Sequence, residues 1–174
     1  MIYDYVKALN KSNKSSSKVA NDYIRSQDDL TTEFNLNFIL EATTSADSKM
    51  FDLLIENKDK IAALSSEKAV EEKILKACEA TVQKAVEFET ESLLDEAKQK
   101  VKTNLPKDYQ GFALESDLYF HKSQGNSAEY RKCCKDYVKK QIGNDAKGLH
   151  DLALSLYESF NYDADAMKLS LIHI

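Results

Sequence analysis

The residues with most chemistry to offer are three cysteines, Cys78, Cys133 and Cys134, and three histidines, His121, His150 and His173. A redox dithiol or a zinc knuckle needs two thiolates about one turn apart, as Cys-x-x-Cys provides. The chain has no such pair. Cys133 and Cys134 are adjacent, and neighbours on a helix point about 100° apart, so they make neither an easy disulfide nor a chelate. Cys78 recurs in step with apolar residues and reads as a small hydrophobe of the core. Arg131, Lys132 and Lys135 flank Cys133 and would lower the pKa of an exposed thiol there, which gives Cys133 a reactive alternative. No His-x-x-x-His or Glu-x-x-His spacing supports a metal site, so His121 and His150 read as surface or loop-edge residues. No serine stands in a nucleophile elbow, and no glycine-rich loop is built to cradle phosphate. No catalytic residue, cofactor or metal ligand is therefore expected, and the protein is expected not to be an enzyme.

Charge gives one further candidate. Carboxylates alternate with lysines along most of the chain, the pattern of solvated helix faces. The densest run of one sign is Arg131, Lys132, Lys135, Lys139 and Lys140. Arg131, Lys135 and Lys139 stand at i, i+4 and i+8, on one helix face, where they could hold an acidic peptide or a phosphate. The same spacing also describes the wet side of an amphipathic helix, and that is the favoured reading. Nine tyrosines and seven phenylalanines accompany them, with no tryptophan. Tyrosines ahead of helix turns ordinarily pack between helices, and a few exposed ones could line a binding groove.

The elements that must position these groups are helices. Apolar residues make up 43% of the 174 and charged residues 30%, which is a globular composition. Four glycines and one proline leave few tight turns, which disfavours a many-stranded sheet. Val70, Ile74, Ala77, Cys78, Thr81, Ala85 and Phe88 recur at steps of three and four, predicting one long helix over about 66–88 with Ser66 as its cap. Further stripes follow the same grammar. They are Val19, Ala20, Tyr23 and Ile24 after Ser15 to Ser17, and Phe34, Phe38, Ile39 and Ala42 after Thr31-Thr32-Glu33. Met50, Phe51, Leu54 and Ile55 follow a cap expected at Thr44 with Asp47. Leu93, Leu94, Ala97 and Val101 run up to Asn104-Leu105-Pro106, where proline ends the helix. Phe112, Leu114, Leu118, Tyr119 and Phe120 stop near Gly125. Asn126 with Glu129 reads as a capping box for Tyr130, Cys133, Cys134, Tyr137 and Val138, which close at Ile142-Gly143-Asn144. Leu149, Leu152, Ala153, Leu156 and Phe160 complete a count of about nine helices.

A shift of 38 residues superposes Leu114 on Leu152, Leu118 on Leu156, Tyr119 on Tyr157 and Ala128 on Ala166, and the turns at Gly125-Asn126 and Tyr162-Asp163 coincide. Helix pairs near this period suggest a tetratricopeptide-like solenoid, whose units bury their apolar faces by stacking. The expected fold is all-α, either a helical-repeat (tetratricopeptide-like) array or an irregular helical bundle, in one domain over 1–168. The last six residues, Leu169-Ser170-Leu171-Ile172-His173-Ile174, break the pattern abruptly and match one reading frame of a transposon-type sequencing adaptor. They are set aside as a scar, so the chain is expected to be truncated, with the helix over 149–160 lacking its stacking partner.

Net charge is −5 and pI about 5.3, which argues against nucleic acid or an anionic membrane as partner. No stretch approaches the roughly 20 apolar residues of a membrane span, and the start lacks the basic and apolar regions of a signal peptide. Read literally, that places the chain in the cytoplasm.

The segment from Lys18-Val19-Ala20-Asn21-Asp22-Tyr23-Ile24-Arg25 to Leu30, on to Phe34-Asn35-Leu36-Asn37-Phe38-Ile39, resembles a group of Bacteroidota thioredoxin-family proteins. So do Ala46 to Leu54 with Asn57-Lys58, and Leu149-His150-Asp151-Leu152-Ala153. In that group an exported thioredoxin-like domain precedes a long helical, tetratricopeptide-like tail, and the likeness covers nearly all of 1–168 but only the tail. The family's redox dithiol lies in the upstream domain and has no counterpart here, so no active-site residue carries over. The resemblance implies a periplasmic location and an upstream domain of the same chain, or a protein partner, as the thing bound. The expected function is a non-enzymatic interaction or packing module. The alternative is a regulatory or substrate-shaping part of a thiol-disulfide redox enzyme. A third reading is a small helical protein taking an acidic or phosphorylated partner on the 131–140 face.

Overall fold

Each long stripe of apolar residues becomes a helix, and polar side chains mark where several of them start. The computed structural model describes residues 1–172, and they are all-helical. The order is α1 (Ile2–Lys11), α2 (Ser17–Arg25), α3 (Glu33–Ala42), α4 (Lys49–Glu56), α5 (Lys58–Leu64), α6 (Glu67–Glu87), α7 (Glu91–Asn104), α8 (Tyr109–Ser123), α9 (Ser127–Tyr137), α10 (Ala146–Phe160) and α11 (Ala164–Ile172). A π turn, Val138–Ile142, continues α9. Thr32, Ser66 and Asn126 each accept a hydrogen bond from the main-chain N–H three residues on, so α3, α6 and α9 begin where their caps predict. Leu105 ends α7 immediately ahead of Pro106.

The starts of two helices depart from expectation. α4 is capped by Ser48, whose hydroxyl accepts from Phe51 N at 3.3 Å, and not by Thr44. Asp47 is drawn elsewhere: its carboxylate takes Lys84 of α6 at 2.9 Å, and neighbouring Ala46 N donates to the buried Thr81 hydroxyl at 2.8 Å. This docks the 43–48 connection on α6, so the helix can begin only after it. At α9 the Glu129 side chain does not close the capping box; it pairs with Lys132 at 2.6 Å. α1 and α5 were not anticipated, because α1 opens without a Ser, Thr, Asp or Asn cap and α5 is only one residue removed from α4.

Three helix ends share one geometry. At α1, α6 and α8 the residues Asn13 (φ 53°), Glu89 (φ 52°) and Gly125 (φ 66°) adopt the left-handed conformation. The following amide reaches back to the third-from-last carbonyl: Lys14 N to Leu9 O, Thr90 N to Ala85 O, and Asn126 N to His121 O. Glycine and asparagine suit this position. Glu89 does not, because its Cβ crowds the adjacent carbonyl.

Packing divides the molecule into two cores joined through α8. The larger runs from Val6 of α1 through Phe38, Phe51, Ile74 and Val101 to Phe120 of α8, and α3 is central to it, burying Asn35, Leu36, Phe38, Ile39 and Ala42. Burying each such phenylalanine stabilises the fold by roughly 1.5–3 kcal/mol. The smaller core gathers Tyr130, Cys134, Leu156, Phe160 and Ala166, with Leu118, Leu152 and Leu169 against it. Leu118 and Phe120 are two residues apart and so on opposite sides of α8, which explains why one helix serves both cores.

From α6 onward the helices pack in sequential pairs, α6 on α7, α8 on α9 and α10 on α11. Tyr109 and Ala146, Ser123 and Phe160, and Ser127 and Ala164 are each 37 residues apart, so the last two pairs repeat in their boundaries. The burial does not follow the 38-residue register throughout: Leu114 is buried and Leu152 half-buried, and Ala128 is exposed where Ala166 is buried. α10 does not lack a partner. α11 covers it, and Leu169, set aside with the terminal hexapeptide, packs against the smaller core. His173 and Ile174 lie outside the described residues. Phe88, expected on the core stripe of α6, falls beyond the helix end and is 62% exposed.

Candidate functional site

The cysteines do not converge. Cys78 and Cys134 are buried in separate cores, Cys133 is half-buried, and all three are free thiols. Burial pushes Cys78 and Cys134 up to about 12 and Cys133 up to about 11. The cationic neighbours in sequence do not activate Cys133: after burial, its strongest influences are the carboxylates of Asp117, Glu129 and Asp136, which disfavour the thiolate. His121 is half-buried near the end of α8 and His150 exposed on α10. Among the described residues, no group of three His, Cys, Asp or Glu side chains is placed to hold a metal ion, and no helix is long and apolar enough to cross a membrane.

The basic face is split. Arg131 is directed inward along the α9–α11 contact, where its guanidinium meets Asp163 at 2.8 Å and Asp165 at 3.5 Å. Asp163 also accepts from the Ser127 hydroxyl and caps α11 through the amides of Asp165 and Ala166. Lys135 and Lys139 are exposed and, among the described residues, make no ion pair. The i, i+4, i+8 alignment also ends at Tyr137, because Lys139 sits in the π turn, whose wider winding takes it out of line with Lys135.

A groove that sequence reasoning did not single out lies between α6 and α8. Val82, almost wholly buried, and half-buried Phe112 line its apolar part, and Glu79, Gln83, Glu115 and Tyr119 form its exposed walls, around about 280 Å³. Gln124, at the end of α8, donates to Val86 O of α6 at 3.1 Å and fixes the two helices together. Tyr119 exposes 47% of its surface. Ser116 lines this groove with little of its surface exposed, and its hydroxyl, which is not sealed from solvent, makes no hydrogen bond among the described residues. Glu115 receives one long bond from the Tyr137 hydroxyl at 3.5 Å, and neither Glu79 nor Glu115 pairs with a cation among the described residues. In the sequence these two glutamates are indistinguishable from any others on a wet helix face. The only available signal was Tyr119, which the 38-residue shift pairs with Tyr157.

A second concavity lies at the other end of the chain. Phe34 of α3, half exposed, stands edge-on to Tyr3 at 6.4 Å and to Tyr23 at 6.2 Å, and this aromatic corner opens between α1 and α3.

Fold and surfaces together define an all-α protein whose surface carries aromatic-lined concavities. Compared with known proteins, the chain matches no family model, no curated protein and no solved structure.

Proposed function

We propose that the chain is a non-catalytic helical module that binds or packs against protein, accessory to a thioredoxin-like domain upstream in the same polypeptide. The observation that carries this reading is the pair of tyrosines on the first helices of the last two helix pairs. Tyr119 and Tyr157 are 47% and 51% exposed and are superposed by the 38-residue shift. A ring left half in water contributes little to the chain's own core. Such rings supply contact area at little entropic cost when a partner arrives. Packing within the pairs α6/α7, α8/α9 and α10/α11, with α6 and α7 also against α8, supports an array of helix pairs. The Tyr3–Phe34 corner supplies a second apolar surface, suited to a packed neighbouring domain.

The test of the accessory role is the sequence of the source locus on both sides of this frame. An in-frame thioredoxin-like domain carrying Cys-x-x-Cys upstream is the expected result. A stop codon and a ribosome-binding site directly ahead of Met1 would remove the accessory role and leave only the protein-binding module.

A further inference from the structure

We propose that the α6–α8 groove is a site for an extended peptide segment carrying arginine or lysine, supplied by a protein partner. The proposal rests on the reading of the chain as a protein-binding module and names the chemistry of what is bound. Each wall of the groove asks for a different part of that ligand. The Glu79 and Glu115 carboxylates, without cationic partners among the described residues, stand at the rim and attract a guanidinium or ammonium group. The exposed Tyr119 ring offers the same cation a π face. Val82 and Phe112 provide the apolar surface over which the methylene stem of an arginine or lysine lies while its head stays wet. The Ser116 hydroxyl lines the same groove, makes no hydrogen bond among the described residues, and is free to bond a ligand. Facing into the groove, it can bond to a peptide amide or carbonyl, which favours a main chain in the groove over a lone cation. The acidic rim and a net charge of −5 repel phosphate, so nucleic acid and anionic lipid are the wrong occupants. The α9 face is a weaker candidate for any ligand, since Arg131 is already held by Asp163 and Asp165.

The experiment titrates the full 174-residue chain with a fluorescein-labelled peptide alternating arginine with leucine, and with its counterpart in which glutamate replaces arginine. The arginine peptide is expected to bind and to weaken as salt rises, and the glutamate peptide to be silent. Replacing both rim carboxylates, Glu79→Gln with Glu115→Gln, should weaken binding about tenfold, the loss two exposed charge contacts set. Ser116→Leu, which fills the groove, should abolish binding, with circular dichroism and melting confirming that the variant folds. The control is Glu71→Gln with Glu87→Gln, two exposed acids of α6 outside the groove, which should bind like the parent. No binding of the arginine peptide, equal binding of the glutamate peptide, or equal losses in rim and control variants would each overturn the site. If the peptide fails while the locus encodes the upstream domain, the ligand class falls and the accessory role stands. If the peptide binds while the locus closes ahead of Met1, the groove stands without the accessory role.

Discussion

Asp163 holds Arg131 at 2.8 Å across the α9–α11 contact while its carboxylate caps α11 through the amides of Asp165 and Ala166. One side chain thus starts the last helix and fastens it to the helix two elements earlier. It turns part of a basic stripe that looked available for a partner into an internal clamp.

The clamp makes the second core sensitive to acid. The hydrogen bond from Ser127, then those from the Ala166 and Asp165 amides and the charge of Arg131, hold the Asp163 carboxyl below the ordinary 3.8. A carboxyl whose folded pKa is depressed contributes stability that is complete above its unfolded value and lost as pH falls through the folded value. The parent should therefore lose protection in α11 below about pH 3.8, by hydrogen exchange. Asp163→Asn should be less protected at pH 7 and show no further loss from this group on acidification. An unchanged acid response in that variant would show that other carboxylates govern the region.

Removing the centre of the smaller core should leave the larger one standing. Phe160 is 1% exposed and its ring lies 5.3 Å from that of Tyr130, whose hydroxyl sits 2.8 Å from Ser155 Oγ. Phe160→Ala should cost about 3–5 kcal/mol, and Tyr130→Phe about 1 kcal/mol. Exchange after Phe160→Ala should quicken across 127–172 while α6 keeps its slow amides. Equal quickening in α6 would mean that α8 transmits the loss and that the two cores unfold as one unit.

At the α6 terminus a substitution should stabilise. Glu89 at φ 52° carries a Cβ in a conformation that glycine tolerates, so Glu89→Gly should raise stability by up to about 1 kcal/mol. Gly125→Ala is the converse. An added Cβ there meets nothing within 4 Å, so its expected cost of about 1–2 kcal/mol is backbone strain alone. Chemical denaturation of the two variants measures both, and the same sign in each would contradict the conformational account.

Thiol chemistry should follow burial. With Cys133 at about 11 against an ordinary 9.0, its alkylation by iodoacetamide at pH 7 should be about a hundredfold slower than that of an ordinary thiol. Cys78 and Cys134, at about 12 and almost fully buried, should be slower again, and all three should react alike in denaturant. Rapid labelling of Cys133 in the folded chain would restore the reactive reading.

What the sequence determined by itself is the part governed by local period and local capping. The stripe from Val70 to Ala85 fixed α6, and Thr32, Ser66 and Asn126 fixed three helix starts, because a cap bonds only three residues away and a 3.6-residue period needs no partner to be visible. The all-α class followed from the same local signals. What only the tertiary structure decided are the properties set by residues distant in the chain. Asp47 looked like part of a cap until Lys84, 37 positions later, claimed it. Arg131 looked like a free charge until Asp163 met it, and Glu79 and Glu115 became the rim of one groove only when α6 packed on α8. Burial and pairing belong to the packed fold, so a periodicity that names the wet face of a helix is silent about which wet faces confront each other.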